Sequence, residues 1–109
     1  MVKLLVVMEI GKALWEIREN ELNKAQNVAA HEIGITQSYL SQIEDGKKIP
    51  SQEVLEKICK TYGVPVSVVV WMATYPDDVA KDKRSAFKVL KPLVDDLIND
   101  YFANTIRKK

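Results

Sequence analysis

Apolar residues recur along most of the chain at intervals of three and four, which is the spacing of one face of an α-helix. Ile10, Leu14 and Ile17 show this spacing near the start. Sustained alternation of apolar and polar residues, which is typical of a half-buried strand, is absent. The pattern predicts an all-α fold, with residues 2–7 as a candidate for one short strand. The predicted helices cover about 9–21, 24–31, 37–45, 52–62, a segment that begins at Pro65 and carries 68–72, a short stretch after Pro76, and a long terminal helix that ends near Arg107.

Glycines and short polar residues mark the boundaries of these helices. Thr36 and Ser51 are placed to cap the third and fourth helices. Asn23 is expected to cap the second, because Gln26 follows it at capping-box spacing. Val28 and Ala29 are expected to face the core from that second helix. Three glycines each follow an apolar-periodic stretch, as residues just past a helix end do: Gly34, Gly46 and Gly63.

The composition indicates one ordinary globular domain of 109 residues, with 47% hydrophobic and 28% charged residues. The single cysteine, Cys59, excludes an internal disulfide and a cysteine-based zinc site, and the single histidine, His31, excludes a multi-histidine metal site. We therefore expect no cofactor and no metal. Because no apolar run approaches the ~18 residues of a membrane span and residues 1–8 are too short for a secretory signal, we expect a cytoplasmic protein without a membrane partner.

Enzyme chemistry is not indicated by any motif. A Gly-rich phosphate loop is absent, and the acidic pairs Asp77-Asp78 and Asp95-Asp96 are adjacent residues. Adjacent residues diverge by about 100° on a helix, so the carboxylates of such a pair would not share a substrate atom. We therefore expect a protein that is not an enzyme.

The charge balance is close to neutral. Lys and Arg number 16 and Asp and Glu 15, for a net charge of +1. Residues 1–75 hold eight basic and nine acidic side chains, and residues 76–109 hold eight and six. Any affinity for nucleic acid must therefore come from local placement of charge and not from a global basic field.

The most informative segment is 26–51, where two short predicted helices are joined by a turn of about four residues that contains Gly34. This is the helix-turn-helix arrangement. A small residue, Ala30, stands where the helices would cross, and Ile43 would hold the second of them to the core. Since glutamine can pair with adenine in the major groove and serine with several bases, the remaining face of that helix suits base recognition. This face has no charge before Glu44 and consists of Gln37, Ser38, Ser41 and Gln42.

In these residues the sequence resembles the XRE-type helix-turn-helix regulators, the class that includes lambdoid phage repressors and Cro. The resemblance covers about residues 9–75, and its most specific part is 41–46 followed by Pro50-Ser51. The segment between Arg18 and Gln26 is one residue longer than the commonest pattern of the family. The matching residues are Ile10-Gly11, Leu14, Ile17-Arg18, Gln26, Ala29-Ala30, Ile33-Gly34-Ile35-Thr36, the run Ser38 to Gly46, Pro50-Ser51 and Tyr62-Gly63-Val64.

The resemblance implies a five-helix DNA-binding domain and a regulator of transcription that binds double-stranded DNA. Gln37 and Ser38 would reach bases, and Gln42, one turn further, would reach a base or a phosphate, beside Ser41 on the same face. Contacts to the DNA backbone would come from Gln26, Thr36, Lys47 and Lys48. Arg18 and Glu44 match the family's structural ion pair.

Residues 76–109 are predicted to form a helical extension with an apolar stripe that must be buried against another surface. Pro92 is expected to kink this helix or to start a new one. The run Val68 to Met72 is apolar on all sides, so the two surfaces are expected to meet, within one chain or across a dimer. The expected dimer or partner surface comprises Trp71, Phe87, Leu90, Val94, Leu97 and Tyr101.

These patterns predict an N-terminal extension (1–8), a DNA-binding domain (9–75) and a helical extension (76–109) in a homodimeric DNA-binding regulator. Two alternatives remain open. One is an antitoxin-like regulator whose C-terminal helix binds a toxin. The other is a protein-interaction adaptor that has kept the fold and lost DNA binding, which the near-neutral charge favours.

Overall fold

The computed structural model describes residues 10–106, and all regular structure within that range is helical. The all-α prediction is confirmed, whereas the strand predicted for residues 2–7 lies outside the described range. Helix α1 occupies 10–16 and continues as a π-helical turn, Ile17–Glu21. The other α-helices are α2 (Gln26–Ile33), α3 (Gln37–Glu44), α4 (Gln52–Tyr62), α5 (Val66–Met72) and α6 (Arg84–Tyr101). Short 3-10 turns at Pro76–Asp78 and Lys81–Lys83 lead into α6, and a π-helical turn at Phe102–Ile106 follows it.

The core lies between α1–α5, and the apolar stripes predicted for α1, α3 and α4 point into it. Phe102, which follows α6, is also buried in this core, so the C-terminal extension packs on the same chain. Burial of these side chains provides most of the stabilisation that helices of 7–11 residues need, because isolated helices of this length are marginal in water. The largest fully buried side chains are Leu14, Ile17, Leu40, Ile43, Ile58, Tyr62, Val69 and Phe102.

The predicted start of α2 was wrong. Ala25, without a side-chain cap, precedes the first helical residue, and Asn23 adopts a left-handed conformation with φ 49°. Asparagine tolerates this conformation better than most residues, and here it turns the chain into α2 instead of capping it. The buried residues of α2 are Ala29, Ala30 and Ile33, whereas Val28 is exposed, so the prediction that Val28 faces the core was also wrong.

The π-helical turn accommodates the long segment between α1 and α2. The Leu22 N–H donates to the Ile17 carbonyl at 2.9 Å, a span of five residues where an α-helical bond spans four. One additional residue is thereby taken into the end of the helix. The turn leaves Ile17 and Arg18 buried, so the added residue does not move either side chain out of the core.

Helix α6 packs back on α5 within the chain. The rings of Trp71 and Phe87 lie 5.4 Å apart, and the Trp71 indole N–H donates to Asp95 at 2.9 Å. The Tyr101 hydroxyl donates to the Gly63 carbonyl at 2.8 Å. The two apolar surfaces therefore meet within one chain through Trp71 and Phe87, whereas Leu90 and Leu97 of the predicted surface stay exposed. The helix also runs through Pro92 without a new start, so that alternative of the prediction was wrong.

Within the described residues, no helix is both long enough and apolar enough to cross a membrane.

Candidate DNA-binding surface

The turn between α2 and α3 fixes the relative placement of the two helices. Gly34 ends α2 with φ 93°, a left-handed conformation that favours glycine. The N–H groups of Gly34 and Ile35 both donate to the Ala30 carbonyl, at 2.9 and 3.0 Å. The Thr36 hydroxyl then caps α3 by accepting from the Tyr39 N–H at 3.0 Å, as predicted. These bonds hold the first turn of α3 in one orientation.

Helix α3 has one face in the core and the other at the surface. Leu40, Ile43 and Glu44 are buried. The four residues expected to recognise bases all retain solvent access, with Gln37 and Ser38 exposed and Ser41 and Gln42 half-buried. The surface face of α3 is therefore polar and uncharged, and its first turn is the most accessible part.

A chain of hydrogen bonds connects this face to the interior. Gln37 Nε2 donates to Gln26 Oε1 at 3.4 Å, and Gln26 Nε2 donates to Glu44 Oε1 at 2.9 Å. Gln26, expected to contact the DNA backbone, therefore also orients Gln37. The side-chain oxygen of Gln37 and its second amide hydrogen take no part in these bonds and face the surface with the capacity to pair with a base edge.

This series of hydrogen bonds ends at a buried ion pair between Arg18 and Glu44. Arg18 Nε and Nη2 donate to the two carboxylate oxygens of Glu44 at 2.7 and 3.0 Å. Arg18 Nη1 donates to Glu19 and to the Lys24 carbonyl at 2.9 and 2.8 Å. The side-chain hydrogen bonds to Glu44 raise the pKa of Arg18, so the guanidinium stays charged. Arg18 thus joins the end of α1, the loop before α2 and the end of α3, in the arrangement that the resemblance implies.

Two lysines follow α3 on a fixed loop. The N–H groups of Lys47 and Lys48 both donate to the Gln42 carbonyl, at 2.9 and 3.1 Å, while their side chains are exposed. Since the loop closes on the last turn of α3, the backbone of both lysines is held next to the helix that carries the expected base-recognition residues.

Two buried polar groups, the Cys59 thiol and the Tyr62 hydroxyl, take no part in this hydrogen-bond network. Burial raises the pKa of the Cys59 thiol to about 11, which makes the thiolate scarce and the side chain unreactive. Burial also raises the pKa of the Tyr62 hydroxyl, whose oxygen has no hydrogen-bond partner in the described structure. Both residues act as packing groups of α4.

Replacing Tyr62 with phenylalanine is expected to leave the free energy of unfolding unchanged or to raise it by up to about 1 kcal/mol. The reason is that burial of an unbonded hydroxyl is unfavourable, and the substitution removes it while keeping the ring. Tyr101→Phe is the matched control, because its hydroxyl donates to Gly63 and its loss should cost about 1 kcal/mol. Urea unfolding of both variants measures the difference, and a destabilised Tyr62→Phe would indicate a hydroxyl that is bonded in solution.

The sequence analysis missed two contributors to this site. Glu19 and the Lys24 carbonyl are the remaining acceptors of Arg18. Only the fold of the π-helical turn brings these two acceptors together. Gly11 was noted as a family match without a reason. A Cβ added there would lie 2.2 Å from the Ile43 carbonyl oxygen at the end of α3. A glycine inside a helical pattern was the signal for such a close approach.

Comparisons with known proteins agree with this geometry. The sequence model of the Helix-turn-helix family matches residues 16–69. A crystal structure of the clp gene regulator ClgR from Corynebacterium glutamicum is 29% identical, with a TM-score of 0.60, over 63% of this chain and 88% of that chain. A second ClgR structure from that organism is similar in fold at 23% identity and a TM-score of 0.60, over 93% of this chain and 95% of that one.

No curated protein matches the chain. The family match spans α2 and α3 together with the turn between them, and it includes both partners of the Arg18–Glu44 ion pair. Residues 16–69 therefore form a helix-turn-helix domain of the XRE, lambda-repressor-like type.

Proposed function

We propose that this protein is a sequence-specific double-stranded-DNA-binding regulator of transcription that reads the major groove with α3. The observation that carries the proposal is the uncharged polar face of α3, whose first residue is oriented from the core through Gln26 and Glu44. A glutamine at this exposed position can pair with adenine in the major groove. Ser38, Ser41 and Gln42 would contact neighbouring base edges from the same face.

Contacts to phosphates would come from both sides of α3. Lys47 and Lys48 follow the C-terminal end of α3, and the first turn of α2 presents backbone N–H groups beside Gln26. Thr36 accepts the cap bond with its oxygen and keeps its hydroxyl hydrogen for a phosphate. These contacts would set the register of α3 on the duplex without selecting a sequence.

The proposed form on DNA is a homodimer, with residues 9–75 binding DNA and 76–109 providing assembly. One such module makes few phosphate contacts and has limited specificity. A two-fold dimer would place its two α3 helices about 34 Å apart, one turn of B-DNA, on a palindromic site.

Selection of binding sites from random duplex DNA with the full chain tests the proposal. We expect a recovered motif with two-fold symmetry and a salt-dependent affinity. Recovery of no motif, together with no salt-dependent shift on any duplex, would favour the adaptor alternative.

On the selected site, Gln37→Ala is expected to cost about 1–3 kcal/mol in binding and to relax discrimination at one base pair. Lys48→Ala is expected to weaken binding to all sequences alike and to reduce the salt slope by about one. Asn99→Ala and Lys57→Ala, at exposed positions outside the α2–α3 unit, are the matched controls. Fluorescence anisotropy at several salt concentrations measures these effects. If Gln37→Ala behaves like Asn99→Ala, α3 is not the recognition helix.

An antitoxin-like regulator is the second candidate. The observation that favours it is the apolar surface which α6 leaves exposed after it has packed on its own chain. A second protein that copurifies in stoichiometric amount and is lost with changes in this surface would support that function.

A further inference from the structure

A cavity of about 300 Å³ lies between the end of α1, the end of α5 and one face of α6. None of the described residues that line it belongs to α2 or α3, so it is separate from the surface proposed to bind DNA. Its volume is at the lower end of the range for small-molecule sites. The side that α6 and the turn after it contribute has the spacing of one helix face and consists of Lys91, Asp95, Ile98 and Phe102.

The most buried side chains of this cavity are apolar. Phe102 is 1% exposed and belongs to the core, and Met72 and Ile98 are half-buried against the same core. These three side chains would remove the hydrocarbon part of a ligand from water, which is the main favourable contribution in most small-molecule sites.

The π-helical turn at the end of α1 brings two carboxylates to the cavity. Glu16 and Glu21 both line it, and both are half-buried. Residues five apart diverge by about 140° on an α-helix, so a regular helix would direct only one of them to this side. A π-helical turn holds more residues, which reduces the divergence, and such turns are frequent at functional sites.

The lining of the cavity has an excess of negative charge. It holds three carboxylates, of Glu16, Glu21 and Asp95, and one ammonium group, of Lys91. Lys91 Nζ lies 3.4 Å from Asp95 Oδ1 and 5.3 Å from the centre of the Trp71 ring. Glu16 makes no ion pair or hydrogen bond with any described residue. A half-buried carboxylate beside apolar side chains attracts a cation more strongly than one in open water, because the local dielectric constant is lower.

The cation that fits this lining is organic. Among the described residues, no three His, Cys, Asp or Glu side chains are grouped so that they could hold a metal ion. From the cavity, its apolar interior and its charge we infer that it binds a small organic cation. The ammonium group of the ligand would pair with Glu16, and its apolar part would pack on Met72, Ile98 and Phe102. This site goes beyond the proposed DNA binding and does not depend on it.

Titration of the full chain with phenethylamine, followed by heteronuclear NMR, tests this site. The probe carries one ammonium group and one small apolar group. We expect saturable shifts of the backbone signals of Glu16, Met72 and Ile98, with a Kd of about 1 mM. Phenethyl alcohol, which is neutral, and phenylpropionate, which is an anion, should each bind at least about 10-fold more weakly. Equal binding of phenethyl alcohol, or no saturable shift of these signals, would overturn the inference.

Glu16→Gln keeps the size of the side chain and removes its charge. Because the ammonium group is assigned to this carboxylate, the variant is expected to raise the Kd for phenethylamine about 10-fold. Glu53→Gln, at an exposed position of α4 outside the cavity, is the matched control and should leave the Kd unchanged. The same spectra show whether each variant is folded. Equal Kd values for the two variants would remove Glu16 from the site and contradict the inference.

Magnesium chloride distinguishes an organic from an inorganic cation. It is expected to leave the signals of the cavity unshifted and the Kd for phenethylamine unchanged at matched ionic strength. Shifts of the same signals by magnesium alone would indicate an inorganic site and would also overturn the inference. These titrations are done without DNA. A chain that binds the probe but no duplex would keep this site and lose the proposed function, and the reverse result would do the opposite.

Discussion

Replacing Glu44 with alanine is expected to lower the free energy of unfolding by about 3 kcal/mol or more, enough to lower the melting temperature by roughly 12 °C. Arg18 donates to both oxygens of Glu44, and both side chains are almost fully buried, with side-chain exposures of 4% and 2%. Removal of the carboxylate would leave a buried guanidinium without its main counter-charge. That loss is much larger than the net contribution of the intact pair.

Glu19→Ala is the matched control for this prediction. Its carboxylate contacts the same Arg18 at 2.9 Å, but 49% of the Glu19 side chain is exposed. Exposed ion pairs contribute little, so the control should change stability by less than about 1 kcal/mol. A double replacement, Arg18→Met with Glu44→Leu, should recover much of the loss, because an apolar pair removes both buried charges. Thermal unfolding by circular dichroism measures all three variants. If Glu44→Ala and Glu19→Ala have the same melting temperature, the Arg18–Glu44 ion pair is solvated in solution.

The same pair shows what the sequence could predict. Arg18 and Glu44 are 26 residues apart, and only the family resemblance connects them. The positions of the helices could be predicted from the spacing of apolar residues. The caps at Thr36 and Ser51 could also be predicted, because each cap hydrogen bond spans only three residues. Such short-range signals depend only on residues that are close together in the sequence. The bounds of α3 and α4 were therefore predicted to within one residue.

Features that depend on tertiary placement were not predictable in this way. Asn23 and Gln26 have capping-box spacing. Asn23 nevertheless lies just after the π-helical turn in a left-handed conformation and does not cap α2. Gln26 was assigned to the DNA backbone from the family pattern, and its bonds to Gln37 and Glu44 appear only when α2 and α3 cross. The stripe of α6 was expected to be buried as a whole, and only part of it is buried within this chain. Its division into an inner face with Phe87 and an outer face with Leu93 depends on how α6 turns about its own axis.

The contact between α1 and the end of α3 leads to the second large expected effect. Gly11 stands where the two backbones approach, and a Cβ there would lie 2.2 Å from the carbonyl oxygen of Ile43 and 3.1 Å from that of Glu44. Both neighbours are backbone atoms, so no side chain can rotate away. The end of α3 is also held by the bond from the Gly46 N–H to the Ile43 carbonyl at 3.1 Å. The helices would have to separate to admit a methyl group.

We therefore expect Gly11→Ala to destabilise the fold by about 3 kcal/mol, the upper part of the usual range for overpacking. In an open helix position the same change stabilises by roughly 0.5–1 kcal/mol, so the sign of the effect distinguishes a close contact from a free surface. Lys12→Ala, at the exposed neighbouring position, is the control and should stay within about 0.5 kcal/mol of the wild type. Because the displaced segment of α3 carries Glu44, Gly11→Ala should also loosen Gln26 and Gln37 and weaken binding to the selected DNA site. Urea unfolding and anisotropy measure the two effects. A Gly11→Ala chain as stable as Lys12→Ala would show that α1 and α3 are further apart than the structure places them.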